Sequence, residues 1–342
     1  MTRELQVADI GEFALIDRLR SVLPAGALEL DGEGLGIGDD AAVWTPPPDG
    51  DLVVTTDALV EGIHFRLDWT DWESLGHKML AVNISDIAAM GGTPRLATIV
   101  LGLRGSELVT DLEAMYRGAG RLGSAHSVAI AGGDIVRSPH GLVISVTLIG
   151  SVPHGKAITR AGARPGDLIV VSGTLGASAA GMALIAAGND ATATGPMLRA
   201  AHLRPNPRVA LGKLLAAAGV TAAMDLSDGL LGDLPKILTA SGVAARLDLD
   251  QIPVIPAVRA LFPDRWREFA LRGGEDYELL MTVPPDRFGE FEMMARDIGA
   301  TLTVVGRIEA GPPGEMVLWD GERQIDAEPG AWDHFAPLHE AG

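Results

Sequence analysis

The segment ESLGHKMLAVNISDIAAMGG, residues 73–92, decides how the rest of the chain reads. Residues 73–90 carry a helical pattern that stops at Gly91-Gly92, just ahead of Pro94. On a helical wheel Leu75, Met79, Val82 and Met90 form one apolar arc, with Asp86 in the middle of it. A carboxylate buried there without a partner would cost several kcal/mol or be forced to protonate. Lys78 lies well off the arc, so a helical ion pair does not relieve the cost. Ligation of a cation does, and a capped or salt-bridged core aspartate is the competing explanation.

On either side of this helix the pattern mixes strands and helices. Upstream, residues 9–21 read as a short helix with Asp9 as cap, and Leu52 to Asp57 as a β-branched strand. Downstream, strands are predicted at 97–103, 127–131 and 142–149, with a helix near 107–122. The run HGKAITRAGARPGD breaks the pattern within 153–167 and marks a domain boundary. Beyond it, strands at 168–172, 221–225, 243–249, 278–283 and 301–308 alternate with helices at 177–188, 207–218, 228–241 and 285–298. The expected class is α+β in two domains, 1–152 and 153–342.

Composition narrows the function. The 342 residues suit two domains, and 47% apolar content supplies real cores. No cysteine is present, which excludes disulfides, thiolate metal sites and cysteine nucleophiles. A net charge of −18 argues against nucleic acid as a partner. Arg3 and Glu4 interrupt any leader pattern and no window offers the ~20 apolar residues of a membrane span, so a soluble cytoplasmic protein is expected.

Phosphate-binding signatures are absent in their common forms, with no G-x-x-x-x-G-K-[ST] and no protein-kinase motif set. Aspartate in glycine-rich runs recurs instead. It stands in GIGDDAAV (36–43), TTDALVEGIHF (55–65), AGGDIVR (131–137), MDLSDGLLGD (224–233) and GGEDYELL (273–280). Any one Gly-Asp pair reads as a surface turn, but strand-like residues lead straight into several of these. Two carboxylates about 4 Å apart repel by ~4 kcal/mol at an effective dielectric of about 20. Convergence of Asp40, Asp57, Asp86 and Asp134 therefore calls for divalent metal, and hard oxygen donors without thiolates favour magnesium.

The ordered set GDDAAV, TTD-x-x-VEG-x-HF, K-x-LAVN-x-SD-x-AAMG-x-x-P, GGD, ITR-x-GA-x-PGD, DLSDGL and GGEDYEL resembles the thiamine-monophosphate kinase family. That family belongs to the aminoimidazole ribonucleotide synthetase-like superfamily, and the similarity runs from Gly11 through Phe335. TTD, SDIAAMG and DLSDG recur across the superfamily, whereas VEGIHF, GGEDYELL and WDHF are more particular to the kinases. The resemblance implies an N-terminal ATP/Mg-binding and dimerisation domain, and a C-terminal domain completing the nucleotide and substrate sites.

By the same resemblance, Asp40, Thr55, Thr56, Asp57, Asp86, Asp134, Asp225 and Asp228 would hold several Mg²⁺ ions. Asp40, Asp57, Asp86, Asp134 and Asp225 would be the catalytic set. Tyr116, Gly133, Asp134, Arg160 and Ser227 would contact ATP, and His64, Glu275 and Trp332 the thiamine monophosphate. Spacing alone does not separate Asp39 from Asp40 as the ligand, and His64 alone would read as structural. Ser227 stands at an apparent helix start, where open N–H groups would favour an anion. The implied chemistry is direct in-line transfer of the ATP γ-phosphoryl group to the acceptor's phosphate, in a homodimer. Two rivals stand beside it. One is another ATP enzyme of the superfamily, of hydrogenase-maturation or selenophosphate-forming type. The other is a non-catalytic nucleotide- or metal-binding regulator.

Overall fold

The computed structural model describes residues 4–30, 34–38, 41–188 and 194–326. The chain divides into two compact units, Met1–Ile158 with Gly181–Gly219, and Thr159–Ala180 with Val220–Gly342.

In the first unit α1 (Val7–Ser21) starts earlier than the sequence suggests. Gln6 is the N-cap, and Asp9 is the third helical residue, reaching back to accept the Gln6 N–H at 2.9 Å. Strands β1 (Gly50–Val60), β2 (Thr93–Leu103), β3 (Ala129–Arg137) and β4 (Val143–Pro153) form a mixed sheet in the order β1-β4-β2-β3. Helices α2 (Trp72–Ala89) and α3 (Val109–His126) cover one face of it, burying the core that includes Leu75, Met79, Ile84, Ile99, Met115 and Leu148. The other face leaves Leu52, Val54, Val100 and Val136 exposed, by 51%, 61%, 38% and 46%.

Helix α2 departs from the single apolar arc. Asp71 caps it, accepting from the Ser74 N–H at 2.7 Å, and it is buried on almost every side. Only Trp72, Glu73, His77 and Asp86 along it keep partial exposure. The sheet takes one side, α3 a second, and α6 (Val209–Ala218) a third. Close approach is the reason for Gly76 and Gly212, where a Cβ would fall 1.7 Å from the Met115 carbonyl oxygen and 1.9 Å from that of Ala88. Asp86 therefore opens a gap in a packed helix rather than interrupting an apolar wall.

Two of the aspartate runs of the first unit are strands and not turns. TTD lies inside β1, and AGGD lies inside β3, because Gly133 lets β3 press against β2: a Cβ there would stand 1.9 Å from the Ile99 carbonyl oxygen.

The second unit holds a mixed sheet in the order β11-β10-β7-β9-β5-β8-β6. These strands are β5 (Leu168–Ser172), β6 (Ala222–Asp225), β7 (Ala244–Asp248), β8 (Leu279–Val283), β9 (Leu302–Glu309), β10 (Met316–Asp320) and β11 (Arg323–Asp326). Helices α4 (Ala177–Ala186), α7 (Leu230–Ser241) and α10 (Phe288–Asp297) match predicted positions. The short helices α5 (Gly195–Leu203), α8 (Pro256–Leu261) and α9 (Trp266–Arg272) and the β10–β11 hairpin were not anticipated. The α+β class with a mixed sheet in each unit is as expected.

Candidate functional site

In the first unit, candidate residues gather where β1 passes over α2. Thr55 and Asp57 share one strand face by the two-residue period, while Asn83 and Asp86 lie one turn apart on the helix. The Thr55 Oγ1 donates to Asp86 Oδ2 at 2.5 Å, and the Asp57 N–H donates to the fully buried Asn83 Oδ1 at 3.1 Å. Asn83 in turn donates to the Met79 carbonyl at 3.1 Å, which fixes its amide. This residue escaped the sequence reading, although its three-residue spacing from Asp86 was the available signal.

Thr56 points to the opposite, open face, where it donates to the Val146 carbonyl at 3.1 Å and accepts from Thr147 at 3.2 Å. Asp134 belongs to that open face too: it is level with Val100, Ser145 and Ala58 across the sheet. Its Oδ1 accepts from the Ile135 N–H at 2.9 Å. β1 and β3 are the two edges, so three strand spacings of about 4.8 Å separate Asp57 from Asp134, about 14 Å along the sheet. Within one chain these two carboxylates do not meet on one ion.

His64 closes the turn after β1. Its Nδ1 accepts the Val60 N–H at 3.0 Å, so the ring proton sits on Nε2 and that nitrogen is a donor. Tyr116 is packed in the core with 6% exposure, and burial raises its pKa. Asp40, its neighbour Asp39, and Trp332 lie outside the described residues.

In the second unit, three loops carry the candidate residues. β6 ends in Asp225, 5% exposed and level with Leu279 of β8. The helix after it begins at Leu230 rather than at 228, and the N–H groups of Ser227 and Asp228 are already taken by Asp233 Oδ2, at 3.0 and 2.9 Å. An internal carboxylate thus fills the position that sequence reasoning offered to a phosphate. Lys236 bridges Asp228 and Asp233 at 2.6 and 2.8 Å. Burial works against the Lys236 charge, but these hydrogen bonds outweigh it and raise the pKa. Burial also pushes Asp233 up, held in check by Lys236 and the Asp228 N–H.

Glu275 is bonded directly to this loop, its N–H donating to the Ser227 carbonyl at 2.8 Å. Arg160 is exposed, and its carbonyl accepts from Ser241 at 3.1 Å. Neighbouring Thr159 accepts the Ala223 N–H of β6 at 3.1 Å.

The donor chemistry suits magnesium. Asp86, Asp57 and Thr55 offer only hard oxygens. Among the described residues no three acidic or imidazole groups form a ready cage. Magnesium commonly takes one or two carboxylates and completes its shell with water and substrate phosphate.

Comparison with known proteins places the chain in a family. The family described as AIR synthase related protein, N-terminal domain, matches residues 38–152, and its C-terminal domain counterpart matches 164–318. Thiamine-monophosphate kinase of Escherichia coli strain K12 is 38% identical over 333 residues, covering 95% of this chain and 98% of the relative. The crystal structure of thiamine-monophosphate kinase from Stenotrophomonas maltophilia K279a superposes with a TM-score of 0.80 at 43% identity, over 90% of this chain and 96% of that one. AaThiL complexed with AMPPCP and TMP gives 0.75 at 32% identity, over 96% and 98%. The chain belongs to the thiamine-monophosphate kinase family.

Proposed function

We propose that this chain phosphorylates thiamine monophosphate to thiamine diphosphate with ATP and Mg²⁺, in the cytoplasm. The observation that carries it is the Thr55–Asp86 and Asp57–Asn83 pairing, which fixes the Asp86 carboxylate and the Asp57 backbone of a family phosphotransferase on one packed strand–helix contact. The first unit supplies the ATP/Mg side and the second completes the nucleotide and acceptor sites.

Thr55, Thr56, Asp57, Asp86, Asp134, Asp225 and Asp228, with Asp40, hold the magnesium ions, which supply charge neutralisation between two polyanions. Gly133, Asp134, Arg160, Ser227 and Tyr116 serve ATP. His64 offers its Nε2 proton to the acceptor phosphate, and Glu275 and Trp332 meet its cationic ring. An acceptor phosphate oxygen forms the new P–O bond to the γ-phosphorus as the bond to the β,γ-bridging oxygen breaks, releasing ADP. The attacking oxygen is already anionic, so positioning and electrostatics outweigh general-base help.

A homodimer completes this arrangement. Leu52, Val54, Val100 and Val136 leave an apolar sheet face for a second copy to cover. A two-fold axis along the strands sets the β3 edge of one sheet over the β1 edge of the other. Asp134 of one copy then approaches Thr56 of its partner on the open face, the approach that the sheet order denies within one chain.

Product analysis with ATP, Mg²⁺ and thiamine monophosphate tests the function: diphosphate should form, stop with a chelator and resume with Mg²⁺. ATP turnover with other acceptors but none with thiamine monophosphate would falsify it. Sedimentation at micromolar concentration showing only a 35.6 kDa species would remove the dimer.

A further inference from the structure

Loop 273–278, GGEDYE, is tied down on both sides of Glu275. Gly274 presses on the Ser227 carbonyl, where a Cβ would sit 2.4 Å from the oxygen. The N–H of Tyr277 donates to the Leu226 carbonyl at 2.9 Å, as that of Glu275 does to Ser227. Glu275 and Tyr277 both adopt positive φ, 66° and 51°, a conformation that side chains with a Cβ take up rarely and at a cost. Strain of this kind persists only where the surroundings over-determine it, and it gathers at ligand sites.

Asp276, between the two strained residues, supplies the restraint. Its Oδ2 accepts the Gly176 N–H at 2.6 Å and its Oδ1 the Ser178 N–H at 3.0 Å. These N–H groups open α4, where a helix has no acceptors of its own for them. Glu278 anchors the far end, accepting from the Ser172 hydroxyl at 2.5 Å, while that oxygen accepts the Leu279 N–H at 2.8 Å.

We infer that Asp276 is a positioning residue for the acceptor substrate. By seating its carboxyl on the start of α4, it locks the strained loop that presents Glu275 to the cationic ring of thiamine monophosphate. The inference rests on the proposed function and on the role of Glu275 within it. Ser227, on the nucleotide side, keeps a separate anchor through Asp233 at 3.0 Å, so the loss of Asp276 should fall on the acceptor alone.

The test is steady-state kinetics on the full chain with ATP and Mg²⁺, comparing wild type, Asp276→Ala and Asp276→Asn. Asp276→Ala should raise the KM for thiamine monophosphate about tenfold or more and leave the KM for ATP within about twofold. Asp276→Asn keeps one acceptor oxygen and should recover part of that loss. Unchanged KM values, or both rising in step with a falling Tm, would make Asp276 a helix cap alone and overturn the inference. If Asp276→Ala does not fold, the same split is read from Asp276→Asn. A wild-type chain that leaves thiamine monophosphate untouched removes the functional reading itself, before any variant is compared.

Discussion

At Asp86 a hydroxyl holds the carboxylate, and at Asp228 an ammonium does. Thr55 holds the Asp86 carboxylate and Asn83 the Asp57 backbone N–H without adding positive charge, so the Asp86 carboxylate keeps its attraction for a cation. In the second region Lys236 sits between Asp228 and Asp233, one ammonium against two carboxylates, and part of the charge is balanced within the loop. A metal approaching Asp228 must compete with that lysine, whereas one approaching Asp86 meets the Thr55 hydroxyl on Oδ2. The acidic motifs look alike in sequence, yet their surroundings differ. On the proposed function both supply metal ligands, the first beside a hydroxyl and the second beside an ammonium.

The sharpest way to break the comparison is Asp86→Asn. It keeps the Thr55 hydrogen bond in shape but removes the charge. Turnover should fall by about 100-fold or more, roughly 3 kcal/mol of transition-state stabilisation, while Tm moves by only a few degrees. Near-normal turnover with a much lower Tm would return Asp86 to a core role.

Mixing Asp86→Asn subunits with Asp134→Asn subunits addresses which chain supplies Asp134. Each variant alone should be silent. In a dimer with Asp134 acting across the interface, a mixed pair keeps one intact site, so random assortment should restore about a quarter of wild-type activity. A silent mixture would put both residues in the same subunit's site.

Part of the first region was legible in advance. The helix ending at Gly91-Gly92 and the singular position of Asp86 followed from periodicity. The partner Thr55 did not, because it lies 31 residues away and becomes a neighbour only when β1 pairs beside α2. Gly132-Gly133-Asp134 read as a turn because glycine permits one, and the structure uses that freedom for close strand packing instead. The helices α5, α8 and α9 are too short to show a clear period. Lys236 sits three residues from Asp233 and could have been paired on a helical wheel. Asp276 could not, since its partner Gly176 lies 100 residues away.

Lys236→Met asks what the second region does without its own cation. The ammonium is partly exposed, at 33%, so the loss should be moderate, roughly 1–3 kcal/mol of stability. The more telling readout is the response to salt of a defined kind. Millimolar Mg²⁺ should raise the Tm of Lys236→Met more than that of wild type, because Asp228 and Asp233 then have a vacancy for positive charge. An equal response from both proteins would mean that Asp228 does not take a cation even when Lys236 is gone.

Asp276 balances its charge in a third way, with a proton, and this gives the smallest expected effect. Burial pushes its pKa from 3.8 up to about 7, against the pull of the Gly176 and Ser178 N–H groups and with some help from Glu278. The folded chain therefore binds this proton more tightly than the unfolded chain does. Between about pH 4 and 7 the folded state carries more protons here, so stability must fall as pH rises through that window. Asp276→Asn cannot ionise and loses this slope. Melting both proteins from pH 5 to 8 should show the variant gaining on wild type by a few degrees as the pH increases. Parallel curves would mean that the helix N–H groups suffice to hold Asp276 ionised, and the loop would then resemble the Asp233 arrangement, with charge met by permanent donors and not by a titrating proton.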